Sequence, residues 1–391
     1  MILDNTFPPD PRVENEAISL INAGHEVILY CFSFDKNQVQ SERIKGIQVE
    51  RHFIAPFIFK FSALAYTLPV YHRYLRKSLS AFIRKHAVEA LHIHDMQVAK
   101  AVFEVNQQFK LPVVLDLHEN RPEIMKHYTH VQDFPGRWLI NPERWKKYEF
   151  QFIARADATI VVTEEAREYY IQNMADSSAK FYVVPNTVRR SFYEEGKINP
   201  ELNSRFKDHF TLLYMGDTGL RRGLETVLDA MASLKDRIIN IKLVVVGENR
   251  TDHLLKDKVK SLGLQNHVDF EGWRPFSTFP AYVNAADVGL CPFHRNIHHD
   301  TTYANKLFQF LSWGKPVVVS DCQAQANLIN TYHCGLVFHD RDAADLAEKL
   351  MILYNDPSLY QSMSKKAKDM ITQHYNWERT SEPLIQLYAR L

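Results

Sequence analysis

The residues best suited to chemistry in this sequence stand where short apolar runs give way to helix-period segments. The run FTLLYMG (210–216) opens into GDTGLRRG (216–223), a stretch that holds Gly219 and places Arg221 and Arg222 just before the helical segment ETVLDAMASL. Backbone amides at a helix start, together with guanidinium groups, suit a phosphate anion. A tight turn with solvated arginines is the simpler alternative. Lys306 shifts the balance, because it brings a second cation to a helix start that follows an equivalent strand end. It lies in YANKLFQFLSWGKPVVVSDC (303–322), where Asn305, Gln309 and Ser312 make a narrow polar stripe in a segment rich in Leu, Phe and Trp. On a helix, spacings of four and three put these three on one face, so the remainder is expected in the core while the stripe looks into a ligand cleft.

The first half offers fewer cations and more imidazoles. VVLDLHENRPE ends a strand-like run with His118, Glu119 and Asn120, and LHIHD ends another with His94 and Asp95. With 18 histidines in the chain no single one is a strong signal. His118 is the candidate because it combines a strand-end position with a neighbouring carboxylate. There is no GxGxxG after the first strand, no GxxxxGK[ST] and no HExxH, so a dinucleotide dehydrogenase, a P-loop NTPase and a zincin all lose support. Asp340-Arg341-Asp342 has the form of a paired-aspartate metal and diphosphate site, but it directly precedes ADLAEKLMILY and reads better as a helix cap. The four cysteines have no CxxC spacing and suit reduced, mostly buried thiols. No metal-ligand set is expected.

The elements that must position these residues alternate between strand and helix throughout, the sequence form of βαβ units and parallel sheets. Strands are predicted at 25–32, 47–54, 90–95, 112–118, 158–163 and 181–186 in the first half. In the second they are predicted at 210–216, 242–248, 268–273, 288–293, 316–321 and 335–340. Only MILDN precedes the loop FPPDPR, which leaves little chain for an opening strand. The polar, helix-poor stretch from Arg189 to His209 reads as a linker. Two doubly wound sheets would then face each other and offer their strand-end loops to one ligand.

Length and composition fit this division. At 391 residues, and about 150 residues per domain, two units are the default, and 46% hydrophobic with 24% charged residues is globular. A net charge of +1 gives no field that would recruit nucleic acid, so none is expected as a partner. The opening MILDNTFPPDPR lacks the basic start and apolar core of a signal peptide, which points to the cytoplasm. FIAPFIFKFSALAYTLPVY (53–71) is interrupted by Lys60, Pro56 and Pro69, and barely reaches the ~20 residues a membrane span requires. Residues 53–86 join this aromatic stretch to Arg73, Arg76, Lys77, Arg84 and Lys85, a pattern that suggests reversible contact with an anionic membrane surface, with a buried helix as the alternative.

Taken in order, FPPDPRVENEAISLINAGHEV, LDLHE, VVPNTV, RRGLETVLDA, VDFEGW, ANKLFQFLSWGKPVVVSD and YNWE resemble the retaining glycosyltransferases of family 4 over nearly the whole chain. The resemblance implies the GT-B architecture, two facing Rossmann-like domains with a cleft between them. It gives an acceptor-side domain over 1–188, a donor-nucleotide domain over 189–370 and a C-terminal helix, 371–391, that returns to the first domain. It implies transfer of a sugar from a UDP- or GDP-sugar to an acceptor hydroxyl on a glycan or lipid-linked molecule, with retention and without an obligatory metal. The setting would be cell-surface polysaccharide or glycoconjugate assembly in the cytoplasm or on the inner face of the membrane.

By the same resemblance Arg222 and Lys306, with Arg221 and Gly219 close by, neutralise the leaving diphosphate. Gly272, Trp273 and Arg274 lie beside the base, and His118 contacts the donor sugar or orients the acceptor. Asn305 belongs to the donor side, and Arg12, His94 and Glu119 to the acceptor side. Two departures stand out. Members of the family often carry two donor-binding glutamates eight positions apart, the first near the donor sugar and the second on the ribose, where this chain has Thr301 and Gln309, with Asp300 beside the first as the acidic substitute; and Asp217 replaces a frequent arginine. A catalytically silent nucleotide- or partner-binding module, or an isomerase or phosphorylase on the same architecture, are the alternatives that fold alone leaves open.

Overall fold

The computed structural model describes residues 1–134, 136–174 and 180–391. They divide into two compact units, one formed by Met1–Pro185 with Ser381–Leu391 and the other by Asn186–Thr380.

The first unit is built on an eight-stranded sheet. Its strands are β1 (Ile2–Thr6), β2 (Ile28–Ser33), β3 (Ser41–Ile44), β4 (Ile47–Phe53), β5 (Leu91–His94), β6 (Val113–Leu117), β7 (Ala158–Val161) and β8 (Phe181–Val183). They lie in the order β3-β4-β2-β1-β5-β6-β7-β8. All neighbours are parallel except the β3–β4 hairpin. Val113–Leu117 is buried at every position, which is why it reads as a near-continuous apolar run rather than an alternating one. The five residues of β1 suffice for a central strand because Ile2 pairs with both β2 and β5. Sequence reading missed β3. SERI is polar and short, and its pairing depends on a two-residue turn in which Lys45 and Gly46 both have positive φ, 50° and 88°.

The second unit carries six parallel strands, β9 (Phe210–Met215), β10 (Ile241–Val246), β11 (Val268–Gly272), β12 (Val288–Cys291), β13 (Val317–Ser320) and β14 (Gly335–Phe338), in the order β11-β10-β9-β12-β13-β14. The order reverses between β9 and β12. In open α/β sheets ligands collect outside the carboxyl ends of strands at such a reversal. The twelve predicted strands are therefore all present, within a few residues of their predicted ends.

One expectation needs correction. The stretch 189–209 is not helix-poor: it holds the helices Ser191–Glu194 and Pro200–Phe206, the second capped by Asn199 through its side chain. Much of the apolar content of 53–86 is core, since the helix Val70–His86 buries Tyr71, Leu75, Leu79, Phe82 and Ile83. Phe57, Leu68, Val70 and Tyr74 stay exposed, as do Arg73, Arg76, Lys77, Arg84 and Lys85. Among the described residues no helix is long and apolar enough to cross a membrane.

Candidate functional site

At the carboxyl end of β9 the chain turns through Gly216–Gly223 before entering the helix Leu224–Leu234. Gly223 has φ 77°, and a Cβ there would lie 1.7 Å from the Pro292 carbonyl oxygen at the end of β12. The glycine is what allows the two strand ends at the reversal to close on each other. Arg222 donates from Nε to Asp217 at 3.1 Å, and its guanidinium sits 4.9 Å from the centre of the Phe293 ring. Asp217 also accepts from Asn249 Nδ2 at 2.6 Å and from the Gly219 amide at 3.3 Å. Burial alone would raise its pKa, but Arg222 and Asn249 hold it below the usual carboxylate value. The arginine that replaces nothing in the family pattern is thus tethered by the acid that does. Arg221 is half-buried, and its carbonyl accepts from the His294 amide at 3.2 Å.

Lys306 reaches the same place from the start of the helix Asn305–Ser312. Its ammonium stands 3.3 Å from the centre of the Tyr214 ring and 5.2 Å from that of Phe293, and a Cβ on Gly216 would meet it at 3.6 Å. Only 8% of Lys306 is exposed, and among the described residues its Nζ has no ion pair and no hydrogen bond. Aromatic faces offset part of the cost of a desolvated cation, on the order of 2 kcal/mol, and no more. Burial, with Arg222 nearby, pushes the Lys306 pKa well below its ordinary value.

The polar stripe is divided in use. Asn305 is exposed and accepts from Asn186 Nδ2 at 3.1 Å. Gln309 is 7% exposed, with no hydrogen bond to its amide among the described residues. Ser312 donates to the Gln309 carbonyl, so its hydroxyl serves the helix rather than a ligand. The acidic substitute expected at Asp300 is already occupied: it pairs with Arg295 at 3.2 Å and accepts the Gln323 amide at 3.0 Å. Thr301 likewise donates to the Ile297 carbonyl at 2.7 Å. At the end of β11, Gly272 is left-handed at φ 66° and Trp273 is 66% exposed. Arg274 is engaged by Glu271 at 3.0 Å and the Tyr282 hydroxyl at 3.1 Å. Asp342 caps the helix Ala343–Asn355, as its position in the sequence implies, while Asp340 accepts from His294 at 2.7 Å.

In the first unit the structure brings Arg12, His94 and His118 together around a residue the sequence reading did not single out, Asp116 on β6. Arg12 holds Asp116 through Nη2 at 3.0 Å and Nε at 3.3 Å, and His118 Nε2 lies 2.6 Å from Asp116 Oδ2. Glu16, His92 and Tyr388 complete the cluster. Arg12, Glu16, His92, His94 and Asp116 are buried, and His118 is 15% exposed. Burial opposes a charged His118, but Asp116 more than offsets it, and the pKa rises from 6.5 to about 9. His94 moves the other way, well below its ordinary value, through burial and the neighbouring His92. Glu119 faces outward and is exposed. Glu16, His92, His94 and Asp116 also present four ligand-type atoms within 4.8 Å of one another, the one set among the described residues with the makings of a metal site. The guanidinium of Arg12 already spans both carboxylates, so a divalent cation would have to displace it. An Asp inside an apolar strand, VVLDL, was the signal that could have found Asp116.

Two doubly wound parallel-sheet units in one chain are the architecture of the GT-B glycosyltransferases. Solved structures share it. Sucrose-phosphate synthase from Thermosynechococcus elongatus superposes with a TM-score of 0.77 at 19% identity, over 97% of this chain and 92% of that one. Anabaena HepE, solved in complex with UDP-glucose, superposes at 0.74 and 15% identity, over 100% and 99%. Residues 12–192 match the family described as Glycosyltransferase Family 4, and residues 197–370 match Glycosyl transferases group 1. Glycogen synthase of Mycobacterium tuberculosis (strain ATCC 25618 / H37Rv) is 20% identical over 388 residues, covering 96% of this chain and 89% of that protein. The chain belongs to the family 4, group 1 glycosyltransferases and is a glycosyltransferase.

Proposed function

We propose that this glycosyltransferase moves a sugar from a nucleoside diphosphate sugar to an acceptor hydroxyl with retention, and that the diphosphate binds at the carboxyl ends of β9 and β12. The observation that carries the reading is Lys306, a buried ammonium with aromatic neighbours and no counter-ion among the described residues, beside the Gly216 turn and close to Arg222. As the bond from the anomeric carbon to the diphosphate breaks, negative charge gathers on the leaving oxygen, and two fixed cations stabilise it there. The acceptor oxygen forms the new bond, and its proton departs with the diphosphate. Trp273 offers an exposed face on which a base can stack, and the buried Gln309 is the proposed contact to the ribose. His118, charged at neutral pH and with its Nδ1 unpaired among the described residues, is the proposed contact to the donor sugar or acceptor. UDP accompanies HepE, so UDP-glucose is the first donor to test, with GDP-sugars beside it. Calorimetry on Lys306→Ala and Arg222→Ala is expected to show UDP weakened by about tenfold or more with uridine little changed, since each charge-assisted bond contributes ~1.5–3 kcal/mol. Equal losses for both ligands would place the phosphates elsewhere.

The acceptor reading extends to a surface. The helix Val70–His86 exposes Val70 and Tyr74 and, through Arg76, Lys77 and Arg84, lines with Glu104 a groove of about 430 Å³, while Phe57 and Leu68 are exposed in the segment before it. Apolar tips beside a basic groove suit the headgroups of an anionic lipid leaflet, and we propose reversible contact of this kind with the inner face of the membrane, where a lipid-linked acceptor is reached. Co-sedimentation with phosphatidylglycerol vesicles at low salt checks it, and recovery of all protein in the supernatant rules it out.

A further inference from the structure

Beneath His118, side chains distant in sequence form one connected network. Arg12 and Glu16 come from the helix Pro11–Asn22, His92 and His94 from β5, Asp116 from β6, and Tyr388 from the helix Glu382–Tyr388. Arg12 Nη2 is 2.9 Å from Glu16 Oε1 and 3.0 Å from Asp116 Oδ1. His92 Nε2 lies 3.3 Å from Glu16 Oε2 and 3.6 Å from Asp116 Oδ2, and its Nδ1 is 2.9 Å from the Tyr388 hydroxyl. The Tyr388 ring also packs edge-on to His25, with centroids 5.6 Å apart.

We propose that Tyr388 and His92 are positioning residues for His118: by donating to His92 Nδ1, the Tyr388 hydroxyl fixes the tautomer whose Nε2–H faces the two carboxylates, and Asp116 is thereby kept ionised to hold His118. The inference rests on the role proposed for His118 above. Its physical basis is the alternative. With the His92 proton on Nδ1, the Nε2 lone pair would face carboxylate lone pairs across 3.3 Å in a dry interior. Such an arrangement is costly unless a carboxylate takes up a proton. A protonated Asp116 would no longer stabilise an imidazolium at 2.6 Å.

Charge balance is compatible with this. Arg12 and His118 match the two carboxylates, with His94 neutral, and Asp116 and Glu16 raise the His92 pKa against its burial. The groups facing His118 are Asp116 and His94 in contact, with Arg12 and Asp95 beyond them. Both aspartates favour its charge and Arg12 opposes it. The segment Ser381–Leu391 belongs to the same compact unit as these residues, so the C-terminal helix acts on the strand-end histidine without touching substrate.

The test is histidine-¹⁵N NMR on the full chain, with Tyr388→Phe, which keeps the ring, and His92→Gln, which keeps a donor. His92 is expected as the Nε2–H tautomer, with His118 titrating well above neutrality. In Tyr388→Phe the His118 midpoint should fall by roughly one pH unit, the size of effect a single lost partner produces, while His92→Gln retains more of it. The alkaline limb of kcat should move with that midpoint while the donor KM stays. An unchanged His118 midpoint in Tyr388→Phe overturns the proposal, as does one equivalent of a divalent metal ion held by His92 and His94 in the purified chain. If His118→Ala transfers sugar at full rate while Tyr388→Phe still moves the midpoint, the catalytic reading of His118 falls and the positioning network stands.

Discussion

Lys306 is a cation held ready for a partner that the described residues do not supply. Burial lowers its pKa, and a bound diphosphate is expected to raise it again. Nucleoside diphosphate binding is therefore expected to take up a proton between the free and the bound lysine pKa, an uptake that fades as the pH falls through the free lysine pKa. Calorimetry in buffers of different ionisation enthalpy reads it directly, and Lys306→Met should abolish it. Gln309 poses a related question, because it is 7% exposed with no hydrogen bond to its amide among the described residues. If ribose hydroxyls are its partner, Gln309→Glu keeps or tightens donor affinity, as charged acceptors are stronger by ~1 kcal/mol, and Gln309→Ala weakens it. If it is only a core residue, Glu buries a charge and lowers the melting temperature with donor affinity unchanged. The two cations and the glutamine were legible because each is a polar residue at the end of an apolar strand or within an apolar helix. The Asp116 network was not, since Glu16, His92, Asp116 and Tyr388 acquire meaning only when chain folding brings together positions far apart in sequence.

At the level of elements, the strands were legible for the reason that parallel strands are buried on both faces, which writes them as short apolar runs. Their order is not written anywhere so plainly. That β9 and β12 are neighbours, with the reversal between them, follows from long-range pairing such as Val288 with Leu212. One residue shows how closely those ends are joined. An alanine at Gly223 would put a methyl group 1.7 Å from the Pro292 oxygen, and the φ of 77° is strained for any side chain. Gly223→Ala should therefore push the two loops apart, lower the melting temperature by several degrees and weaken UDP binding by about tenfold or more. Gly24→Ala is the matched control: its φ of 96° carries the same kind of strain, but nothing lies within 4 Å of the added carbon. A thermal melt and a UDP titration on both variants separate backbone strain from closure of the loop. Equal effects would mean that the contact with Pro292 does not matter.

At the scale of the whole molecule, each unit has its own sheet and core, and the chain visits the first unit twice. The last eleven residues, Ser381–Leu391, cluster with Met1–Pro185, and they bury Leu384 and Leu387 completely or nearly so, at 0% and 3% exposed. Losing two buried leucines costs about 2–5 kcal/mol each, a large share of the stability of an ordinary domain. A chain ending at Thr380 is thus expected to destabilise the first unit while leaving the second, which holds Lys306 and Arg222, intact. Two domains that unfold separately give two calorimetric transitions, so the measurement is a scan of both chains with and without UDP. The truncated chain should lose several degrees from one transition, and UDP should raise only the other. The same truncation removes Tyr388, so sugar transfer should fall further than the loss of folded protein explains, whereas UDP affinity should hold. A single transition that falls as a whole, with UDP binding lost in parallel, would show that the C-terminal segment supports both units and would refute this division of labour.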